Sequence, residues 1–194
     1  MSLSEEFSTV DLILNSHTET RGVDAFALAL IKAEKQMRRL VTHLVYQSLA
    51  FGAGHKLALR EALESSKKVY FAGLERGFDA LYPKSVRDLI GSEYPQLSEW
   101  LCEARGYRNK IFHGQLTADG LTRAQLIRLA DHIRRWCEKL SDGCCDEFGY
   151  DGFSNSFHKS KVGNLNARLR IKLNSVSDYK GFITNYMELK GKQN

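Results

Sequence analysis

The residues best suited to chemistry lie in one short segment, residues 104–114 (ARGYRNKIFHG). If this segment is helical, one of its faces gathers four polar side chains within an apolar frame. The polar members are Arg105, Arg108, Asn109 and His113, and the apolar members are Leu101 and Phe112. The planar guanidinium of arginine can donate two parallel hydrogen bonds to phosphate oxygens, and histidine changes charge near neutral pH. Because a merely solvated face more often carries Lys and Glu, this pattern predicts a surface that meets a partner or a substrate.

The helix that carries this segment is predicted from Pro95 to His113. Proline suits the first turn of a helix, and Gly114 suits the position just after the last turn. A separate apolar stripe of the same helix should pack into the protein. Its members are Leu97, Trp100, Ala104, Tyr107 and Ile111. We interpret these aromatic residues, together with Trp136, as core residues rather than as platforms for stacking bases.

Upstream of this helix, apolar residues recur at helical spacing from Val23 to Leu49 and from Lys56 to Leu81. This spacing predicts two long helices. The dipeptide Tyr82-Pro83 should end the second one, because the residue before a proline avoids the α region. A short helix is predicted over residues 84–90.

Downstream, a capping box formed by Thr122 and Gln125 predicts a further helix through Leu140, which Gly143 should end. Because the connections are short, the predicted helices form an all-α, four-helix bundle within residues 1–142. Residues 143–194 are predicted to form a small C-terminal extension.

The extension differs from the bundle in the pattern of its residues. Glycine and aromatic residues alternate over 148–153, which predicts an ordered but irregular loop. A short strand is predicted over Leu165–Leu173 and a last helix over Tyr179–Leu189. Residues 157–194 carry 8 Lys or Arg against 2 acids. We expect this basic segment to contact the phosphates of a nucleic acid, and the alternative is that it simply packs on the bundle.

The segment Arg108–His113 (RNKIFH) resembles the R-x4-to-6-H motif of the HEPN superfamily, in which a polar residue often follows the arginine. In that family the motif lies near the end of a helix in a four-helix bundle, which is also the arrangement predicted here. Many HEPN proteins are metal-independent endoribonucleases of toxin–antitoxin, abortive-infection and CRISPR systems, and they act as dimers that pair two motifs. The resemblance covers roughly residues 20–142, and it implies nothing about the extension.

The resemblance implies an endoribonuclease that uses no cofactor and leaves 2′,3′-cyclic phosphate ends. Such cleavage needs a base for the 2′-hydroxyl proton and a cation for the developing charge on the phosphate. His113 would be the acid and base, and Arg108 would stabilise the transition state. Asn109 lies one turn before His113 and would orient its imidazole. Arg105 and Lys110 would bind the RNA.

Glu34 has two interpretations. It either pairs with Arg38 one turn later, or it is a buried partner that positions Arg108. One motif supplies too few groups for both acid and base, so we expect a homodimer with Leu101, Arg105 and Phe112 at its interface.

Other functions stay open at this stage. The main alternative is a catalytically silent HEPN module that binds RNA, a nucleotide or a protein partner, although such modules typically lose the Arg or the His of the motif. A DNA-binding regulator is less well supported, because no recognition-helix pattern is evident. If the protein is a toxin, an antitoxin or a regulatory protein is a further expected partner.

Composition excludes several classes of protein. The chain has 194 residues, 43% of them hydrophobic and 26% charged, which is typical of a globular domain. No apolar run approaches the ~20 residues needed to cross a bilayer, and the acidic N-terminus does not resemble a signal peptide. The four cysteines have no zinc-site spacing, so no metal is expected. We therefore expect a cytoplasmic protein that does not enter the membrane.

Overall fold

The fold is all-α. A computed structural model describes residues 2–112 and 121–188, and within them the only β-type pairing is a single bridge between Val69 and Glu188. The helices are α1 (Leu3–Leu14), α2 (Arg21–Tyr46), α3 (Lys56–Glu64), α4 (Phe71–Leu81), α5 (Val86–Ile90), α6 (Tyr94–Phe112), α7 (Arg123–Phe148), α8 (Leu165–Arg168) and α9 (Val176–Phe182). A π-helical turn over Ile183–Met187 follows α9. No helix in the described part of the chain is both long and apolar enough to span a bilayer.

Helix α2 is the centre of the fold. It packs against α1, α4, α6 and α7. Its inward face is fully buried at every third or fourth position, and this face comprises Ala25, Ala29, Ala33, Met37, Leu40 and Leu44. The three alanines allow the neighbouring helices to approach closely. Since α2 and α7 are each 26 residues long, they form the frame on which the shorter helices pack.

The predicted helix over Lys56–Leu81 is wrong, because the chain leaves helical geometry after Glu64 and re-enters it at Phe71. Serine side chains compete for backbone groups and so favour helix ends. Here the Ser65 hydroxyl donates to the Ala62 carbonyl, and the Ser66 hydroxyl donates to Glu188. The break leaves Tyr70, which the apolar pattern included in the helix, at the N-cap of α4 with 55% of its surface exposed.

The predicted end of α7 at Gly143 is also wrong. The helix continues to Phe148 and ends at Gly149, whose φ of 71° is left-handed. Gly143 lies in mid-helix, where a Cβ atom would come within 2.3 Å of the Leu89 carbonyl oxygen. This glycine therefore permits α5 and α7 to pack closely, and it does not cap the helix. The predicted boundary between bundle and extension, at residues 142–143, falls inside α7.

The extension packs on the bundle and shares its apolar core. The predicted strand over Leu165–Leu173 is wrong, because α8 and an irregular segment occupy these residues. The predicted last helix begins earlier, at Val176, and changes to the π-helical turn after Phe182; Leu189 lies outside the described residues. In the described part of the extension beyond residue 160, the buried side chains are Leu165, Leu169, Leu173, Tyr179, Phe182, Ile183 and Met187.

Candidate functional site

A cationic cleft lies where α2 and α3 face the loop that follows α7. Its volume is about 1000 Å³. Five basic side chains line it against two acidic ones: Lys35, Arg38, Arg39, Arg60 and Arg108 against Glu34 and Glu64. Residues 153–157 of the loop form the opposite wall. We call this feature the cationic cleft.

Arg39 and Arg60 give the cationic cleft its uncompensated charge. Arg39 donates a hydrogen bond to the backbone carbonyl of Phe153. The Arg60 guanidinium lies over the Phe157 ring, 5.7 Å from its centroid. Neither forms an ion pair with a carboxylate in the described parts of the chain. Both are therefore held by groups that orient a guanidinium without neutralising it.

Two further cations of the cleft, Arg38 and Lys35, have carboxylate partners. Arg38 donates to Glu34 at 2.8 Å, so the interpretation of Glu34 as an i,i+4 partner of Arg38 is confirmed. Lys35 donates to Glu6 of α1 at 2.7 Å, and Lys32 donates to the same oxygen at 2.8 Å. Burial opposes ionisation of Glu6, but the two lysines outweigh it and hold the pKa of this carboxyl below its usual value. These pairs fix the shape of the cleft floor.

The loop wall is held by buried polar contacts from α2. The Gln36 amide donates to the carbonyls of Cys137 and Asp151, both at 3.0 Å. The His43 ring, fully buried, bonds the Ser156 carbonyl through Nδ1 at 3.2 Å and stacks on Tyr150 with 4.2 Å between centroids. Burial, and then the nearby His158, lower the pKa of His43 to about 4. The ring is therefore neutral at physiological pH.

A second groove adjoins the cationic cleft, between α2, the start of α4 and α6. Its volume is about 620 Å³, and its lining is mainly apolar. Ile31, Glu34 and Arg108 line both features, so Arg108 lies where they meet. Arg105 lies over the Phe71 ring in this groove, with its guanidinium carbon 5.3 Å from the ring centroid. We call this feature the apolar groove.

Helix α6 places the predicted site residues in different surroundings. Arg108 and Lys110 are exposed, and Arg105 is half-buried in the apolar groove. Leu101 was predicted to lie at the dimer interface, but it is only 4% exposed and belongs to the core, so it is not available there. Asn109 and Phe112 lie within α6, but their side chains are outside the described residues, as are His113 and Gly114.

The predicted stripe of α6 does pack inward. Leu97 and Ala104 are buried, and the larger members of the stripe are partly buried against the core. Trp136 is fully buried, as predicted. Trp100 lies nearer the surface and stacks on His132, with 3.5 Å between ring centroids.

Most described cations of the extension contact the protein itself. Lys159 donates to the Ser48 carbonyl at 2.9 Å, Arg168 pairs with Glu147, and Arg170 donates to the carbonyls of Asp79 and Pro83. Lys161 and Lys180 are exposed. The segment thus packs on the bundle, and several of its charges serve that packing.

Sequence reasoning missed Arg39 and Arg60, which line the cationic cleft, and Tyr70, which lines the apolar groove. The two arginines carry no motif, and the residues that orient them are about a hundred positions away in the chain. Tyr70 is at the surface only because the helix breaks before it. A signal for that break was present in the consecutive residues Ser65 and Ser66.

Comparison of the chain with protein-family models, with curated proteins and with solved structures finds no match.

Proposed function

We propose that this protein is a HEPN-type, metal-independent endoribonuclease. The observation that carries the proposal is that Arg108, the arginine of the R-x4-H motif, lines the cationic cleft. The motif comes from the sequence alone, whereas the cleft is built by residues far from it in the chain. Their coincidence supports a site that binds the phosphates of RNA next to the residues that would cleave it.

In the proposed reaction, His113 takes the proton of a ribose 2′-hydroxyl, whose oxygen then attacks the adjacent phosphorus. The bond from phosphorus to the 5′-oxygen breaks, and this oxygen receives a proton from a second acid. The products carry a 2′,3′-cyclic phosphate and a 5′-hydroxyl. Arg108 stabilises the charge that develops on the phosphate oxygens, and Asn109 orients His113.

The acid that protonates the leaving oxygen requires a second motif, so the proposal includes a homodimer. In this proposal Phe112 stays at the interface, buried Leu101 does not, and Arg105, which lines the apolar groove, binds RNA. Within this proposal, the cationic cleft guides the RNA backbone to the paired motifs. A protein that neutralises the enzyme, such as an antitoxin, would have to cover this cleft and would be acidic there.

The test is cleavage of total RNA and of tRNA by the purified protein in EDTA. We expect Arg108→Ala and His113→Ala each to lower the rate by about 10²–10⁴-fold, which is the usual range for losing such a group. Arg87→Ala and His17→Ala remove the same residue types outside the motif and should leave the rate unchanged. End analysis should find cyclic phosphates.

Two results would contradict the proposal: loss of cleavage on adding EDTA, or full activity in His113→Ala. A wild-type protein that binds RNA in a salt-dependent way but does not cleave it would be a silent binding module instead.

A further inference from the structure

Two flat side-chain groups, the Tyr70 ring and the Arg105 guanidinium, line the apolar groove beside the cationic cleft. Tyr70 stands at the N-cap of α4 and makes no capping hydrogen bond, so its ring is not needed to start the helix. More than half of it is exposed, as is Ile31 on the facing side of the groove. An exposed aromatic ring in a groove with apolar lining can receive another flat ring.

Arg105 adds the second surface. Its guanidinium is flat and lies over the buried Phe71 ring, which contacts it from one side. The other side of the guanidinium is directed away from Phe71, and Arg105 lines the groove. Nucleic-acid bases that are not paired stack on aromatic side chains and on guanidinium planes in this way.

The surroundings on the two sides of Arg108 differ: one side is positively charged and the other is mainly apolar. A nucleotide has a charged phosphate and an apolar base face, so it matches both. On one side, Arg39 and Arg60 offer uncompensated positive charge. On the other, the groove is mainly apolar and offers ring surfaces. A phosphate suits the first environment and a base suits the second. Arg108, at their junction, lies where the ribose and its phosphate would be.

We infer that the apolar groove is a base subsite: it takes an unpaired nucleobase, stacked on Tyr70 and Arg105, from the RNA strand whose phosphates occupy the cationic cleft. This inference rests on the proposed function and extends it by naming single-stranded RNA as the substrate class. A base within a duplex already stacks on its neighbours and cannot enter the groove without unpairing.

The experiment measures binding by the full chain carrying His113→Ala, so that RNA is not consumed. The probes are a fluorescein-labelled single-stranded RNA, the same RNA annealed to its complement, and a ribose-phosphate oligomer of equal length without bases. Fluorescence anisotropy gives Kd for each. Tyr70→Ala is compared with Tyr70→Phe, which keeps the ring, and with Tyr186→Ala, which removes an exposed tyrosine that lines neither feature.

We expect single-stranded RNA to bind about tenfold more tightly than the oligomer without bases, which corresponds to one stacked base. Tyr70→Ala should abolish this difference and leave the Kd of the oligomer without bases unchanged. Tyr70→Phe and Tyr186→Ala should retain the difference, and the duplex should bind like the oligomer without bases.

Other outcomes separate the two proposals. If the oligomer without bases binds as tightly as RNA, the base subsite is wrong while the cationic cleft still binds phosphates. If neither probe binds, both the base subsite and the proposed function fail. If light scattering shows that Tyr70→Ala converts a dimer into a monomer, the groove is an interface between copies and the inference is overturned.

Discussion

The cationic cleft and the C-terminal extension contain similar positive charge, but the structure uses it differently. In the cleft, Arg39 and Arg60 are oriented by a carbonyl and by an aromatic ring, and their charge stays available. In the extension, Arg168 and Arg170 are bound to Glu147 and to backbone carbonyls of the bundle. A count of charged residues along a sequence cannot distinguish a cation that attracts a ligand from one that fastens the chain.

The strongest test of the extension's structural role is at Gly73 of α4. A Cβ atom there would lie 2.0 Å from the Met187 carbonyl oxygen, so the π-helical turn packs directly on this glycine. We expect Gly73→Ala to lower the free energy of unfolding by about 3 kcal/mol, because the backbone must shift to relieve the clash. Denaturant unfolding measures this change.

Gly181→Ala is the matched control, because nothing lies within 4 Å of a Cβ atom at that position of α9. It should leave the protein as stable or slightly more stable, since alanine favours helix. Equal stability of the Gly73 variant would show that the extension does not depend on this contact.

The loop wall of the cleft should respond to acid through His43. An unfolded chain protonates this ring below its ordinary pKa of 6.5, whereas the folded chain does so only near pH 4. The free energy of unfolding should therefore fall by up to about 3 kcal/mol as the pH drops from 6.5 to 4, and then level off. In His43→Phe this part of the pH dependence should disappear, and in His55→Phe, at an exposed position, it should remain.

Comparing variants also removes the contribution of Asp79. Burial raises the pKa of this carboxyl to about 6, so it changes stability in the opposite direction over an overlapping pH range. Because Asp79 is present in the wild type and in both variants, the difference between their pH curves belongs to the histidine. Parallel curves for wild type and His43→Phe would show that His43 is not the acid-sensitive group.

Removing two cations from the cationic cleft, and two from the extension, tests whether the charges of the two regions differ in their availability to a ligand. We expect Arg39→Gln with Arg60→Gln to weaken RNA binding about tenfold and to make its salt dependence shallower by about two phosphate contacts. Lys161→Gln with Lys180→Gln removes the same charge from the extension and should change Kd less than twofold. Anisotropy titrations over a series of salt concentrations measure both. Equal losses in the two double variants would mean that only net charge matters.

The parts of the fold that depend on local rules were predicted well from the sequence. Helical periodicity predicted α2, and Pro83 and Pro95 marked the region of α5 and the start of α6. The capping box at Thr122 predicted the start of α7. The break between α3 and α4 was missed because the apolar pattern continues through it at nearly helical spacing. Gly143 was misread because a glycine that ends a helix and one that permits close packing look the same in a sequence.

The site was predictable only in part, for a different reason. The motif is a continuous segment, residues 108–113, so it can be recognised from the sequence alone. The cationic cleft depends on contacts between residues more than a hundred positions apart, such as Arg39 with Phe153. No spacing rule relates such residues, because the turns that bring them together are set by the packing of the whole core.

These long-range contacts have a consequence for the order of events during protein synthesis. Gln36 is bonded to Asp151, His43 to Ser156 and Lys159 to the carbonyl of Ser48, so one wall of the cleft leaves the ribosome long after the other. Contacts of such separation form late, because the intervening chain must first be ordered. A growing chain thus carries the arginines of α2 before it has a cleft. The cleft can form only after residues 151–159, which supply its second wall, have been synthesised.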